Sequence, residues 1–147
     1  MVTLRPATVD DIAAMHRIRL AVRENRLGDP TRVTPAHYHR YVEEPGVSWV
    51  AELDGRLAGF GIADRSSRSL WALFVDPEHE GRGLGRALLA RLTDCLFASG
   101  SGRINLSTEP GTRAERIYLA SGWVRVGTLP NGEAWLALSP PDDAGER

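Results

Sequence analysis

The chain has 147 residues, 42% hydrophobic and 25% charged, the balance of one ordinary water-soluble globular domain. A formal net charge of −1 argues against nucleic acid as the main partner, since duplex binding needs a basic surface. The single cysteine, Cys95, excludes an internal disulfide and a cysteine-based metal cluster. No apolar run is long enough to span a membrane and Met1 to Asp11 lacks the apolar core of a signal peptide, so a reducing, cytoplasmic setting is expected.

Val2 to Arg5 is a short strand candidate. Thr8-Val9-Asp10-Asp11 has the form of a capping box, with Thr8 as N-cap and an acid three residues on. Ile12, Met15, Ile18 or Arg19, and Val22 then recur at helical spacing, which predicts a first helix to about Asn25. Arg26 to Val33 reads as a loop. Thr34-Pro35 opens a second helix to about Glu44, carrying Tyr38 and Tyr41, and Pro45-Gly46 ends it. Val47 to Leu53 and Arg56 to Ala63 flank Asp54-Gly55, a pair suited to the positive φ angles of a type I′ hairpin turn. Ser69 to Val75 is almost wholly apolar, which predicts a central strand buried on both faces and ended by Asp76-Pro77.

After Gly81-Arg82-Gly83-Leu84-Gly85, leucines recur at 84, 88, 92 and 96, the stripe of an amphipathic helix ending near Ser99-Gly100. Arg103 to Ser107 alternates as a strand does. Thr112-Arg113-Ala114-Glu115 is a second capping box, opening a helix that Gly122 closes. Trp123 to Thr128 and Glu133 to Leu138 form a last hairpin around Asn131-Gly132. The order predicts a mixed α/β layer fold with a largely antiparallel sheet of about seven strands and one strand–helix–strand crossover. Residues 1–138 are expected to form one domain, and 139–147 a disordered tail.

The strand, Gly-rich turn and helix form an anion site. The first amides of a helix have no internal partners, the peptide dipoles add partial positive charge there, and glycines admit close approach of phosphate oxygens. Arg82, Arg86 and Arg91 cluster around this turn in sequence. The spacing excludes two common nucleotide motifs. A P-loop fails because Arg86 follows the first four spacer residues after Gly81, and the dinucleotide fingerprint fails because its third small residue would be Arg86 or Leu88.

A third pattern matches. Leu73-Phe74-Val75-Asp76-Pro77, followed by Glu80-Gly81-Arg82-Gly83-Leu84-Gly85, resembles the acyl-CoA signature of the GCN5-related N-acetyltransferase (GNAT) family. Ala114 to Trp123 resembles the family's helix with a tyrosine ahead of a glycine and an aromatic residue, and the order of elements from Val2 to Leu138 also fits. The resemblance implies a GNAT-like fold with splayed central strands. It implies acetyl transfer from acetyl-CoA to a primary amine of a small molecule or protein, with no metal.

By position, the backbone of Phe74 and Val75 is expected to hold the pantetheine arm like an added strand. The stretch Gly81, Arg82, Gly83, Leu84, Gly85 and Arg86 is expected to hold the pyrophosphate. Tyr118 falls on the family's general acid, which protonates the departing CoA thiolate. The sequence departs from the pattern at Glu80, where the family has glutamine or arginine, and at Gly111, where many members have a cofactor-bonding asparagine.

For the general base, Glu52, Ser107 and Glu109 are candidates without distinguishing spacing. Tyr38 or Tyr41 could line the acceptor side, whereas His37 and His39 read as surface residues. Cys95, Trp49 and Trp71 read as core packing. A homodimer is open, as family members often dimerise. The alternative function is a non-catalytic acyl-CoA-binding sensor or interaction module.

Overall fold

A computed structural model of the chain describes residues 2–22 and 35–141. The expected first-helix end at Asn25, the loop from Arg26 to Val33, the Thr34 cap and residues 142–147 of the tail lie outside them. The elements run β1 (Val2–Pro6), α1 (Ile12–Ala21), α2 (Pro35–Glu43), β2 (Ser48–Leu53), β3 (Arg56–Asp64) and β4 (Ser69–Val75). They continue with α3 (Leu84–Ala98), β5 (Ile104–Thr108), α4 (Arg113–Ala120), β6 (Val124–Thr128) and β7 (Ala134–Leu138). One seven-stranded sheet takes the order β1-β2-β3-β4-β5-β7-β6. Every pairing is antiparallel except β4 with β5. No helix among the described residues is long and apolar enough to cross a membrane.

Local chemistry explains most of these elements. Asp54 and Gly55 adopt φ of 53° and 83°, the two positive angles that a type I′ turn requires, and Leu53 pairs with Arg56 beside them. Leu84, Leu88, Leu92 and Leu96 are all buried on one face of α3. That face lies against β3, where a side chain at Gly61 would overlap Leu92 and one at Gly59 would press on the Phe74 carbonyl at 3.1 Å. Glycine at both positions lets helix and sheet close up. The opposite face of the sheet carries α2, whose Tyr38 ring meets Phe60 at 5.9 Å in a T-shaped contact.

Asp11 fastens the chain's first turn to the sheet. Its carboxylate accepts from the Thr8 N–H at 2.7 Å and from Arg5 at 2.8 and 2.9 Å, and Arg5 reaches on to Glu52 at 3.1 Å. The Arg5 guanidinium holds the Asp11 carboxyl below its ordinary range.

Three expectations change. The first helix stops at Ala21, because Val22 turns to extended φ/ψ of −72° and 120°. The apolar spacing at Val22 reflects a cavity wall rather than another helical turn. In β4, Leu70, Ala72 and Phe74 are buried, but Trp71, Leu73 and Val75 are only half-buried. The β3–β4 register also skips Trp71, a bulge that brings its ring to 4.7 Å from Tyr41. Finally, Cys95 is half-buried at the core's edge beside Arg65, and burial raises its thiol pKa.

Candidate active site

The site begins as a defect in the sheet. β4 and β5 pair at Ser69↔Asn105 and nowhere further along, so the two parallel strands part toward their C-terminal ends. The Asp76 N–H bonds the Ala58 carbonyl at 2.8 Å. Main-chain groups alternate along a strand, so those of Phe74 also point into β3, and those of Leu73 and Val75 point into the gap. Unpaired strand groups of this kind can accept an extended ligand as an added strand. Of the expected pair, Val75 presents its backbone to the gap, and Leu73 does so where Phe74 was expected.

A cavity of about 370 Å³ occupies the gap. One wall is Leu73, Phe74 and Val75. Its floor is the turn before α3, with Gly81, Gly83, Leu84, Gly85 and Arg86, and its far side is Arg113, Ala114 and Ile117 of α4. Gly81 and Gly83 take φ of 82° and 81°, which non-glycine residues adopt only at a cost. A Cβ on Gly83 would meet nothing within 4 Å, so this glycine serves backbone shape and open approach rather than packing. The first hydrogen bond of α3 runs from the Ala87 N–H to the Gly83 carbonyl at 3.1 Å. The amides of Leu84, Gly85 and Arg86 therefore have no partner within the helix and stand at its positive end.

The residues fit a phosphate-bearing, extended ligand. The cavity has free amides at one end and a half-unpaired strand along its side. His79, which also lines it, keeps a buried Nδ1 without a hydrogen-bond partner among the described residues. The described residues hold no group of three or more His, Cys, Asp or Glu arranged to hold a metal.

Tyr118 lies on α4, whose geometry is set by its caps. Thr112 Oγ1 accepts from the Glu115 N–H at 3.2 Å, and Glu115 Oε1 accepts from the Gly111 N–H at 2.8 Å. At the other end Gly122 takes φ of 100°, and the Trp123 N–H bonds the Tyr118 carbonyl at 3.1 Å. Tyr118 is 5% exposed, with its ring 6.0 Å from Trp123. Burial raises its pKa well above the ordinary phenol value, so it stays protonated at neutral pH.

The structure thus brings Phe74, Val75, Gly81, Gly83, Leu84, Gly85 and Arg86 to one cavity. Arg82 is exposed and Tyr118 is buried, and neither belongs to the cavity lining. Arg91 leaves the turn altogether, its guanidinium lying 5.1 Å over Trp49. Glu80 is exposed and lines the cavity, as its position implied. Glu52 bonds Arg5, and Ser107 Oγ donates to Glu133 at 3.0 Å. Neither these two nor Glu109 lines the cavity. Tyr38 and Tyr41 are 1% and 6% exposed and pack against Trp71, while His37 and His39 are exposed. Sequence reasoning missed Leu73, His79, Arg113 and Ile117 on the cavity wall. The signal for the last two was their spacing of four, which puts both on one face of α4.

Residues 12–123 match the model of the Acetyltransferase (GNAT) family. An L-2,4-diaminobutyric acid acetyltransferase of Nocardia farcinica is 31% identical over 97% of this chain and 71% of the relative. A mycothiol acetyltransferase of Beutenbergia cavernae is 36% identical over 56% of this chain, and the match spans only 30% of that longer relative. Among solved structures, the PaiA N-acetyltransferase of Thermoplasma acidophilum in complex with coenzyme A superposes with a TM-score of 0.69. It is 15% identical, over 95% of this chain and 99% of that one. The ribosomal-protein-S18-alanine N-acetyltransferase of Escherichia coli gives 0.72 at 21% identity, over 94% and 93%. The parted β4 and β5, the Gly-rich turn below them and the family match over residues 12–123 agree: this chain belongs to the GNAT acetyltransferase family.

Proposed function

We propose that the protein is an N-acetyltransferase using acetyl-CoA as co-substrate and a primary amine of a small molecule or protein as acceptor. One observation carries this reading. β4 and β5 part beyond Ser69↔Asn105 over a cavity that ends on the free amides of Leu84, Gly85 and Arg86. A ligand with an anionic head and an extended amide-bearing arm suits that shape. When bound, acetyl-CoA would supply an acyl group activated as a thioester.

The chain's own residues divide the work. Amides from Gly81 to Arg86 hold the pyrophosphate, and the main chain of Leu73 and Val75 aligns the arm. Tyr118 takes the general acid's part: burial keeps the proton on its phenol, so it holds one to give and is not a base. The Nocardia relative, named for 2,4-diaminobutyric acid, supports a small amine as acceptor.

The test is release of CoA thiol from acetyl-CoA across a broad amine panel, with wild type and Tyr118→Phe compared over a range of pH. We expect turnover of Tyr118→Phe to fall by about a hundred-fold, with little change in acetyl-CoA affinity. Unchanged turnover at every pH would remove Tyr118 from this role. Thermal stabilisation by acetyl-CoA, with no thiol release from any amine, would make the protein a non-catalytic acyl-CoA-binding module.

A further inference from the structure

The Gly-rich turn carries a carboxylate, Glu80, where the family's pattern has glutamine or arginine. Glu80 lines the cavity beside Gly81, and a pyrophosphate brought there meets repulsion from it. The wall opposite supplies a cation. Arg113 is the first residue of α4 and lines the same cavity. Its Nη2 lies 3.7 Å from the point where a Cβ on Gly81 would sit, so the guanidinium rests on the bare face of that glycine. Ile117, one turn further along α4, reaches toward Gly85, with its Cδ1 3.4 Å from a Cβ placed there. The two side chains share one face of α4 and clamp that helix against the start of α3. Arg113 thereby reaches from α4 to the turn that follows β4.

Resting on the acetyl-CoA reading above, we propose that Arg113 is the side-chain partner of the CoA pyrophosphate and supplies from α4 the contact that Glu80 cannot make. Its planar fork can give two parallel hydrogen bonds to phosphate oxygens, which the single-point turn amides cannot. This makes phosphate recognition bridge the two walls of the gap, so binding the head of the ligand also ties α4 to the turn before α3.

Calorimetric titration of wild type and Arg113→Gln with CoA, dephospho-CoA and pantetheine tests this. We expect Arg113→Gln to weaken CoA and dephospho-CoA alike by about ten- to a hundred-fold and to leave pantetheine binding unchanged. Glu80→Gln in the Arg113→Gln background should recover part of the loss by removing the opposing charge. Should Arg113→Gln not fold, Arg113→Lys provides the same comparison, with a smaller loss because the fork is gone. Equal CoA affinity in variant and wild type would overturn the proposal. A loss seen with CoA but not with dephospho-CoA would overturn it in favour of the 3′-phosphate. A loss that extends to pantetheine would show that Arg113 acts only on the shape of the site. No binding of CoA by the wild type would instead overturn the acetyl-CoA reading itself, and this proposal with it.

Discussion

The two sides of β4 are built to opposite ends. Toward β3 the strand is paired from Gly59↔Val75 to Asp64↔Ser69, and the glycines of β3 let α3 press close over that seam. Toward β5 it is paired at Ser69↔Asn105, and beyond that point the sheet opens onto a cavity. The closed side derives its rigidity from dense apolar packing, whereas the open side depends on backbone shape: positive φ at two glycines and amides left free. Stability and ligand binding should therefore respond to different residues, although both are assigned to the same two elements, β4 and α3.

That separation can be broken from either side. Leu92→Ala, at a fully buried position of α3 facing Gly61, should cost about 3 kcal/mol in urea denaturation and leave CoA affinity of the folded protein unchanged. A large loss of CoA affinity would mean that the two sides are one mechanical unit.

Acid provides a second, smaller effect on the closed side. Asp11 is held as a carboxylate by Arg5 and Thr8, which lowers its pKa from 3.8. A depressed folded-state pKa adds stability that is fully present above 3.8 and is lost as pH falls through the folded value. Asp11→Asn should cost about 2 kcal/mol at neutral pH and flatten that acid decline, as read by denaturation at a series of pH values. An unchanged acid limb would show that other carboxylates govern it.

The smallest effect belongs to the open side. Gly83→Ala forces a φ of 81° on a residue with a Cβ and should cost about 1 kcal/mol in stability. Because the turn relaxes away from that angle, CoA affinity should fall by about five- to ten-fold in titration calorimetry. An alanine that left CoA affinity intact would show that the amides do not depend on the left-handed turn.

The closed side was the more legible in sequence. Leucines at 84, 88, 92 and 96 report helix and buried face together, because apolar spacing follows helical period directly. Asp54-Gly55 identifies its turn because few residues tolerate two positive φ angles. The strand–turn–helix shape on the open side was legible for the same reason, since positive φ at Gly81 and Gly83 calls for glycine.

What escaped the sequence depends on how elements meet. The bulge at Trp71 comes from a one-residue mismatch between two strands, which neither strand shows alone. Which of Leu73, Phe74 and Val75 turns its backbone to the gap depends on the register with β3. Arg113 reaches the turn only because α4 docks there, and Arg91 leaves it because Trp49 offers an aromatic face.

The place of β7 carries a consequence for how the protein is made. This strand comes last among the described strands but lies between β5 and β6. Its partner positions on β5 run from Ile104↔Leu138 to Thr108↔Ala134. During synthesis β5 therefore leaves the ribosome with one edge bare, and it stays so until Ala134 to Leu138 follow. A nascent chain can assemble the closed side early, but β5, the strand across the gap from β4, gains its main support only with the final hairpin. Until then that bare edge is open to pairing with other chains, so the ligand site is the last part of the sheet to become secure.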